Sequence, residues 1–172
     1  MESTAEKTRY ITILRHLFSI VMHNFISDIS HYDIVLNLAI QAKNSLWIGT
    51  ADIKDLYVIQ GQTEKPFLGI LSELIGHGVE VRLIHAKEPG PNFCKDFDKY
   101  PSLARMLERV LCPRVHFKII IIDQKICYIG SANLTGAGMG MKSAYRRNFE
   151  AGILTDNSDI VNAAFEEFDK VW

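Results

Sequence analysis

The feature that most constrains the fold is a run of four isoleucines, Ile119 to Ile122, within residues 115–129. β-Branched residues favour extended backbone, and successive side chains of a strand point to opposite faces of its sheet. A strand that is apolar at four consecutive positions is therefore expected to be buried on both faces. Helical and strand-like patterns alternate along the chain, which predicts a layered α/β fold.

The predicted elements follow one another without a linker, and 172 residues fit one compact domain. The last helix is expected to be capped by Asn157 or Ser158. Helical patterns cover 8–25, 33–43, 66–77, 101–111 and 158–172. Strand patterns cover 45–49, 56–59, 79–85, 115–129, which holds two strands, and 150–154.

The formal net charge of the chain is only −1, but the charge is unevenly distributed. Residues 101–150 contain eight Lys or Arg against three Asp or Glu, a local charge of +5. Such a region suits an anionic substrate such as a phosphodiester backbone. Basic residues are, however, more often part of a solvated surface, so the charge alone does not identify a ligand.

The apolar stretch from Ile11 to Ile26 is interrupted by Arg15 and His16, and further along by His23 and Asn24, so it is too polar to span a bilayer. We expect no membrane anchor and a cytoplasmic location. The three cysteines cannot all pair within one chain, and their spacing is not that of a zinc site. They are expected to be reduced, and the sequence predicts no metal and no cofactor.

Polar residues are concentrated where the two central strands meet. His116 and Lys118 are two positions apart, so they share one face of a strand. If residues 123–126 form a tight turn, His116 lies opposite Asn133 and Lys118 lies opposite Ser131. The hairpin therefore predicts one patch of four polar side chains, and a register error of one residue would still leave them neighbours.

The same geometry places Asp123 at the other end of the strand. Seven residues at ~3.3 Å each put it roughly 23 Å from His116. We therefore expect Asp123 to cap the turn or to play another structural role.

These residues resemble the motif of the phospholipase D superfamily, H-x-K-x4-D followed by G-S-x-N. The matching positions are His116, Lys118, Asp123, Gly130, Ser131 and Asn133. The resemblance covers about residues 31–172 and implies the family's layered fold, a mixed β-sheet flanked by helices on both faces. Residues 1–30 fall outside it, and they are expected to form an N-terminal helical extension that belongs to the same domain or packs a dimer.

The resemblance implies a metal-independent phosphodiesterase that forms a phosphohistidine. One histidine attacks phosphorus, a second protonates the leaving oxygen, and water resolves the intermediate. Lys118, Ser131 and Asn133 are expected to bind the phosphoryl oxygens. Glu150 matches the acidic residue that orients a histidine, although an ion pair with Arg146 or Arg147 is an alternative.

This chemistry requires two histidine motifs. His85 and Lys87 reproduce H-x-K, but Asn92 stands where the motif has Asp, and no G-S-x-N follows. We therefore reject this second copy. The sequence predicts a homodimer whose twofold axis passes through the site, so that each His116 is the partner of the other.

Three functions are compatible with the motif. An endonuclease that hydrolyses nucleic acid is favoured by the short chain, the basic region and the single motif. A phospholipid or small-diester phosphodiesterase is the second. The third is a catalytically silent nucleic-acid-binding module that accompanies a helicase or a restriction system.

Overall fold

The computed structural model of the chain describes residues 21–54, 56–60 and 63–172. The strands within these ranges are β1 (His23–Ser27), β2 (Ser45–Thr50), β3 (Tyr57–Gln60), β4 (Thr63–Pro66), β5 (Glu80–His85), β6 (Glu108–Leu111), β7 (Lys118–Ile122), β8 (Ile126–Gly130) and β9 (Ala151–Thr155). The helices are α1 (π-helical over His31–Leu36, then α-helical over Asn37–Ala39), α2 (Phe67–Gly76), α3 (Pro91–Phe97), α4 (Pro101–Met106) and α5 (Ser158–Asp169).

Seven of these strands form one mixed sheet in the order β1-β9-β8-β7-β2-β5-β6. Strands β2, β5 and β6 are parallel, and the remaining neighbours pair in antiparallel fashion. Strands β3 and β4 form a separate two-stranded antiparallel ribbon. Strand β7 is thus the fourth of seven, with β8 on one side and β2 on the other.

The isoleucines of β7 divide the core into two layers. Ile120 and Ile122 pack in a cluster that includes residues of α1 and α2. Ile119 and Ile121 point the other way, into a cluster that includes residues of α5. Helices therefore cover both faces of the sheet, and the predicted fold class is confirmed.

The closing helix begins where its sequence predicts. The Asn157 side-chain oxygen accepts hydrogen bonds from the backbone N–H groups of Asp159 and Ile160, both at 3.1 Å. An asparagine in this position satisfies N–H groups that have no partner within the helix. The expected helices over 33–43 and 66–77, and the strands over 45–49, 56–59 and 79–85, are also present with shifts of a few residues at their ends.

Two predictions about local structure were wrong. The helix expected over 8–25 is contradicted at its end, where β1 lies at the sheet edge and pairs with β9; residues 8–20 lie outside the described residues. The helix expected over 101–111 is α4 followed by strand β6, which pairs with β5. Helix α3, with Pro91 in its first turn, was not predicted. The division of the chain at residue 30 stays a prediction.

Two glycines of neighbouring strands make room for a buried tyrosine. A Cβ added to Gly130 or Gly152, which pair across β8 and β9, would overlap the Tyr128 side chain. The Tyr128 hydroxyl lies 2.9 Å from Nε2 of His31, and both residues are fully buried. Burial raises the pKa of Tyr128 to about 12. The glycine of the G-S-x-N segment is therefore needed for packing.

We expect Gly130→Ala to destabilise the fold by about 1–3 kcal/mol, because the added methyl group overpacks the Tyr128 site. The free energy of unfolding would be measured by urea denaturation. Gly76→Ala is the matched control, because a Cβ at Gly76 meets nothing within 4 Å. Equal stability of the two variants would contradict the packing role of Gly130.

Candidate active site

The β7–β8 hairpin has a different register from the one predicted. Ile122 pairs with Ile126, so the loop contains the three residues 123–125, and Lys118 pairs with Gly130 instead of Ser131. Asp123 and Gln124 adopt positive φ angles of 53° and 51°. The predicted register is therefore wrong by one residue, because a loop one residue longer than the expected turn shifts the pairing.

His116 and Lys118 meet at the start of β7. The Lys118 Nζ donates a hydrogen bond to the His116 carbonyl oxygen at 2.7 Å and lies 3.4 Å from the ring Nδ1. Lys118 is buried, whereas His116 is exposed. No carboxylate in the described part of the chain forms an ion pair with Lys118. The site therefore holds a buried cation beside an accessible imidazole.

Ser131 and Glu150 meet at the adjoining end of β8 and β9. The Ser131 hydroxyl donates a hydrogen bond to the Glu150 carboxylate and accepts one from the Ala151 N–H at 3.0 Å. The other carboxylate oxygen of Glu150 accepts a hydrogen bond from the Asn148 amide at 3.0 Å. Because Lys118 pairs with Gly130, this cluster lies one strand away from the Lys118 ammonium.

Asn133 is held by the end of β2. Its side-chain oxygen accepts a hydrogen bond from the Asp52 N–H at 3.1 Å and lies 3.4 Å from the Thr50 hydroxyl. The same hydroxyl accepts a hydrogen bond from the Leu134 N–H at 3.0 Å. Thr50 also lies beside Lys118, because the preceding Gly49 pairs with Ile119.

Asp123 lies at the opposite end of the hairpin. Its carboxylate accepts hydrogen bonds from the N–H groups of Lys43, Asn44 and Ser45, at distances of 2.6 to 3.1 Å. Burial alone would raise the pKa of Asp123, but these three bonds and the nearby Lys125 charge lower it overall. These contacts tie the hairpin loop to the start of β2, which is a structural task.

The structure therefore brings His116 together with Lys118, and Ser131 together with Glu150, at one end of the sheet. Glu150 makes no hydrogen bond to His116 within the described chain, and the expected histidine-orienting role stays a prediction. The alternative ion pair is not formed either, because Arg147 pairs with Asp28 at 2.8 Å. Sequence reasoning missed Thr50, although a polar residue that ends a buried strand was a usable signal.

The rejected second motif has a buried histidine. His85 is 1% exposed, and its Nδ1 donates a hydrogen bond to the Lys87 carbonyl at 2.7 Å. Its Nε2 is buried without a hydrogen-bond partner. No serine or asparagine of a G-S-x-N segment accompanies it, so His85 does not form a second copy of the His116 site.

A histidine, a lysine and a serine–glutamate pair thus lie at one end of the central strands of a mixed sheet. Residues 35–172 match the family model described as "Cardiolipin synthase, PLD-like domain". The chain belongs to this PLD-like domain family, within the phospholipase D superfamily.

Solved structures share the fold at low sequence identity. NucT from Helicobacter pylori aligns with a TM-score of 0.64 and 18% identity, over 88% of this chain and 96% of NucT. Nuc from Salmonella typhimurium, a phospholipase D family member, aligns with a TM-score of 0.62 and 18% identity, over 89% and 95%. TrmBL2, an archaeal chromatin protein with a novel mode of DNA binding, aligns with a TM-score of 0.60 and 12% identity, over 98% and 60%.

No curated protein matches this sequence significantly. Across the described residues, no helix is long and apolar enough to cross a membrane. Cys94, Cys112 and Cys127 are free, as predicted, and burial raises the pKa of the Cys127 thiol to about 11. The expected cytoplasmic location stays a prediction.

Because His85 is buried, we expect the free energy of unfolding to fall in acid. The pKa of His85 is lowered, chiefly by burial and also by the Arg109 charge. The hydrogen bond to the Lys87 carbonyl and the Glu88 charge raise this pKa but do not cancel the effect of burial. Because the unfolded chain takes up a proton near pH 6.5 that the folded chain resists, stability is retained above that pH and is lost as the pH falls below it.

We expect the free energy of unfolding to fall less between about pH 7 and pH 5 in His85→Asn than in wild type, because asparagine keeps a donor toward Lys87 but does not titrate in this range. Urea denaturation at both pH values measures the difference. His77→Asn, at an exposed position, is the control and should behave as wild type. If the free energy of unfolding depended on pH in the same way in wild type and in His85→Asn, His85 would not be the cause of the acid sensitivity.

Proposed function

We propose that this protein is a metal-independent endonuclease that hydrolyses nucleic-acid phosphodiester bonds through a phosphohistidine, with an active site shared across a homodimer. The observation that carries the proposal is the buried Lys118 ammonium, which has no carboxylate partner in the described chain and lies beside the exposed His116. A buried cation is costly unless an anion offsets its charge. A phosphodiester bound against His116 supplies that anion.

In this proposal the His116 imidazole attacks phosphorus. A P–N bond forms, the P–O bond to the leaving group breaks, and a second histidine gives its proton to the leaving oxygen. Water then attacks phosphorus and gives a proton to the second histidine, while the P–N bond breaks and releases His116. Lys118, Ser131 and the Asn133 amide nitrogen stabilise the charge on the phosphoryl oxygens, a role that elsewhere falls to a metal ion.

Glu150 has two tasks in this scheme. Its carboxylate accepts a hydrogen bond from the Ser131 hydroxyl and so fixes the serine, and its second task is to accept an N–H from a histidine. Within one chain Glu150 contacts Ser131 and Asn148. We propose that in the dimer it holds the tautomer of a histidine at the shared site.

The second histidine comes from a second copy of the chain. One complete motif is present in the sequence, and His116 is exposed where a symmetric partner can reach it. A twofold axis through the site makes each His116 the acid for the other, so one motif per chain is sufficient.

Nucleic acid is the substrate that the charge of residues 101–150 favours. Residues 101–150 carry a charge of +5, which attracts a polyanion. The likeness to TrmBL2, which binds DNA, is compatible with a nucleic-acid ligand and also with a silent binding module. A lipid diester remains the alternative within the same chemistry.

The proposal predicts that wild type cleaves DNA or RNA in excess EDTA, whereas His116→Ala does not. Removing the nucleophile should lower the rate by a factor on the order of 10⁴ or more. His77→Ala is the matched control, because His77 is an exposed histidine at the end of α2. Binding without cleavage would favour the silent module, and cleavage only of diesters in micelles would favour a lipid substrate.

The shared site predicts that light scattering reports twice the 19.5 kDa chain mass. Heterodimers of wild type with His116→Ala, isolated through two different tags, should be inactive because each phosphoryl transfer uses both histidines. An active monomer, or heterodimers with half the wild-type activity, would contradict the shared site.

A further inference from the structure

Two aromatic side chains beside the site are completely exposed. Tyr145 is 101% exposed and Phe149 is 107% exposed, whereas no other large apolar side chain in the described chain exceeds the 74% of Phe25. Exposing a large ring to water is unfavourable, and aromatic residues at such positions are typical of binding surfaces.

Both rings project from one segment, residues 141–149, which we call the aromatic loop. The backbone of this loop is anchored: the Asn148 N–H donates to the Ala137 carbonyl at 3.2 Å, and the Arg147 guanidinium pairs with Asp28 at 2.8 Å. The rings are therefore presented by a fixed backbone, which lowers the entropic cost of binding a ligand.

The aromatic loop leads directly into the site. Phe149 precedes Glu150, whose carboxylate binds Ser131, so their Cα atoms are about 3.8 Å apart. Tyr145 lies five residues before Glu150, which limits its distance to about 18 Å. Both residues therefore lie within the reach of a polymer bound at the site.

The charge of the aromatic loop matches a polyanion. Residues 141–149 contain Lys142, Arg146 and Arg147 and no Asp or Glu. Lys142 and Arg146 are exposed, and neither forms an ion pair within the described chain. Because the loop carries only positive charges, we take a polyanionic nucleic acid as its occupant, and an interface between chains is an outcome that the test distinguishes.

From this loop we infer that Tyr145 and Phe149 form a base-stacking platform that makes unpaired nucleic acid the preferred substrate, an inference that rests on the proposed nuclease function. Unpaired bases offer their faces to aromatic rings, whereas the bases of a duplex are already stacked on one another. Lys142 and Arg146 bind the phosphates between stacked nucleotides and direct the strand toward His116.

The test measures binding in the His116→Ala background, so that the probes stay intact. Fluorescence anisotropy in EDTA compares three labelled DNA probes with equal numbers of phosphates: oligothymidine of about 16 nucleotides, a fully paired hairpin, and an abasic strand. Tyr145→Ala and Phe149→Ala should each raise the Kd for oligothymidine about five- to 150-fold and change the other two little.

Matched variants separate stacking from other effects. Tyr145→Phe and Phe149→Tyr should keep the affinity for oligothymidine, because either ring can stack. Phe25→Ala removes an exposed ring of β1 and should leave all three Kd values unchanged. Arg146→Ala should weaken the binding of all three probes. For the single strand it should also reduce the slope of the logarithm of affinity against the logarithm of salt concentration by about 0.7, whereas Lys125→Ala in the hairpin loop should change neither.

Equal weakening of all three probes by the ring variants, or no weakening of any, would overturn the platform. Loss of the dimer in Tyr145→Ala or Phe149→Ala by light scattering would overturn it in favour of an interface between chains. If wild type cleaves nucleic acid but the Tyr145 and Phe149 variants bind all probes as tightly as the parent, the stacking platform is contradicted and the proposed nuclease function is not. If wild type neither binds nor cleaves any probe, both fail.

Discussion

Strand β7 lies at the centre of the sheet with its isoleucines divided between two helical layers, and the position of the site depends on that burial. The four isoleucines could exchange places, but a shift of β7 by one residue would also place Lys118 or Asp123 in an apolar cluster, so the residues at the two ends fix the register. His116 and Lys118 therefore have a fixed place where β7 begins. The site inherits the rigidity of the core.

Tyr128 extends this rigidity to the neighbouring strands. Its ring occupies the space over Gly130 and Gly152, and its hydroxyl meets His31. Strands β8 and β9 are thereby held together beside Ser131 and Glu150. Positions that hold reacting groups within a fraction of an ångström need this kind of support from packed elements.

Sequence reasoning predicted the layered fold, the central hairpin and the separation of Asp123 from the site, because each follows from a strong local pattern. The predicted register of the hairpin was wrong because the loop is one residue longer than expected. Its positive φ angles at Asp123 and Gln124 are not required by either residue type, so the sequence does not indicate them. Strand β6 was taken for a helix because its four residues, Glu108 to Leu111, carry no alternation of their own and depend on pairing with β5. Exposure of the Phe149 ring depends on the path of a loop, which periodicity does not describe.

His116 and Lys118 differ in their exposure to solvent, and this difference suits their proposed chemical roles. The lysine is buried and its ammonium is fixed by the His116 carbonyl, in a region where water screens charge little. The histidine two residues earlier is exposed. Under the proposed mechanism this exposure is a requirement, because a nucleophile that must meet both a polymer and a second histidine cannot be enclosed by its own chain. Under the same proposal, the half-site of one chain, with its buried lysine and open imidazole, becomes complete when a partner chain supplies the second histidine.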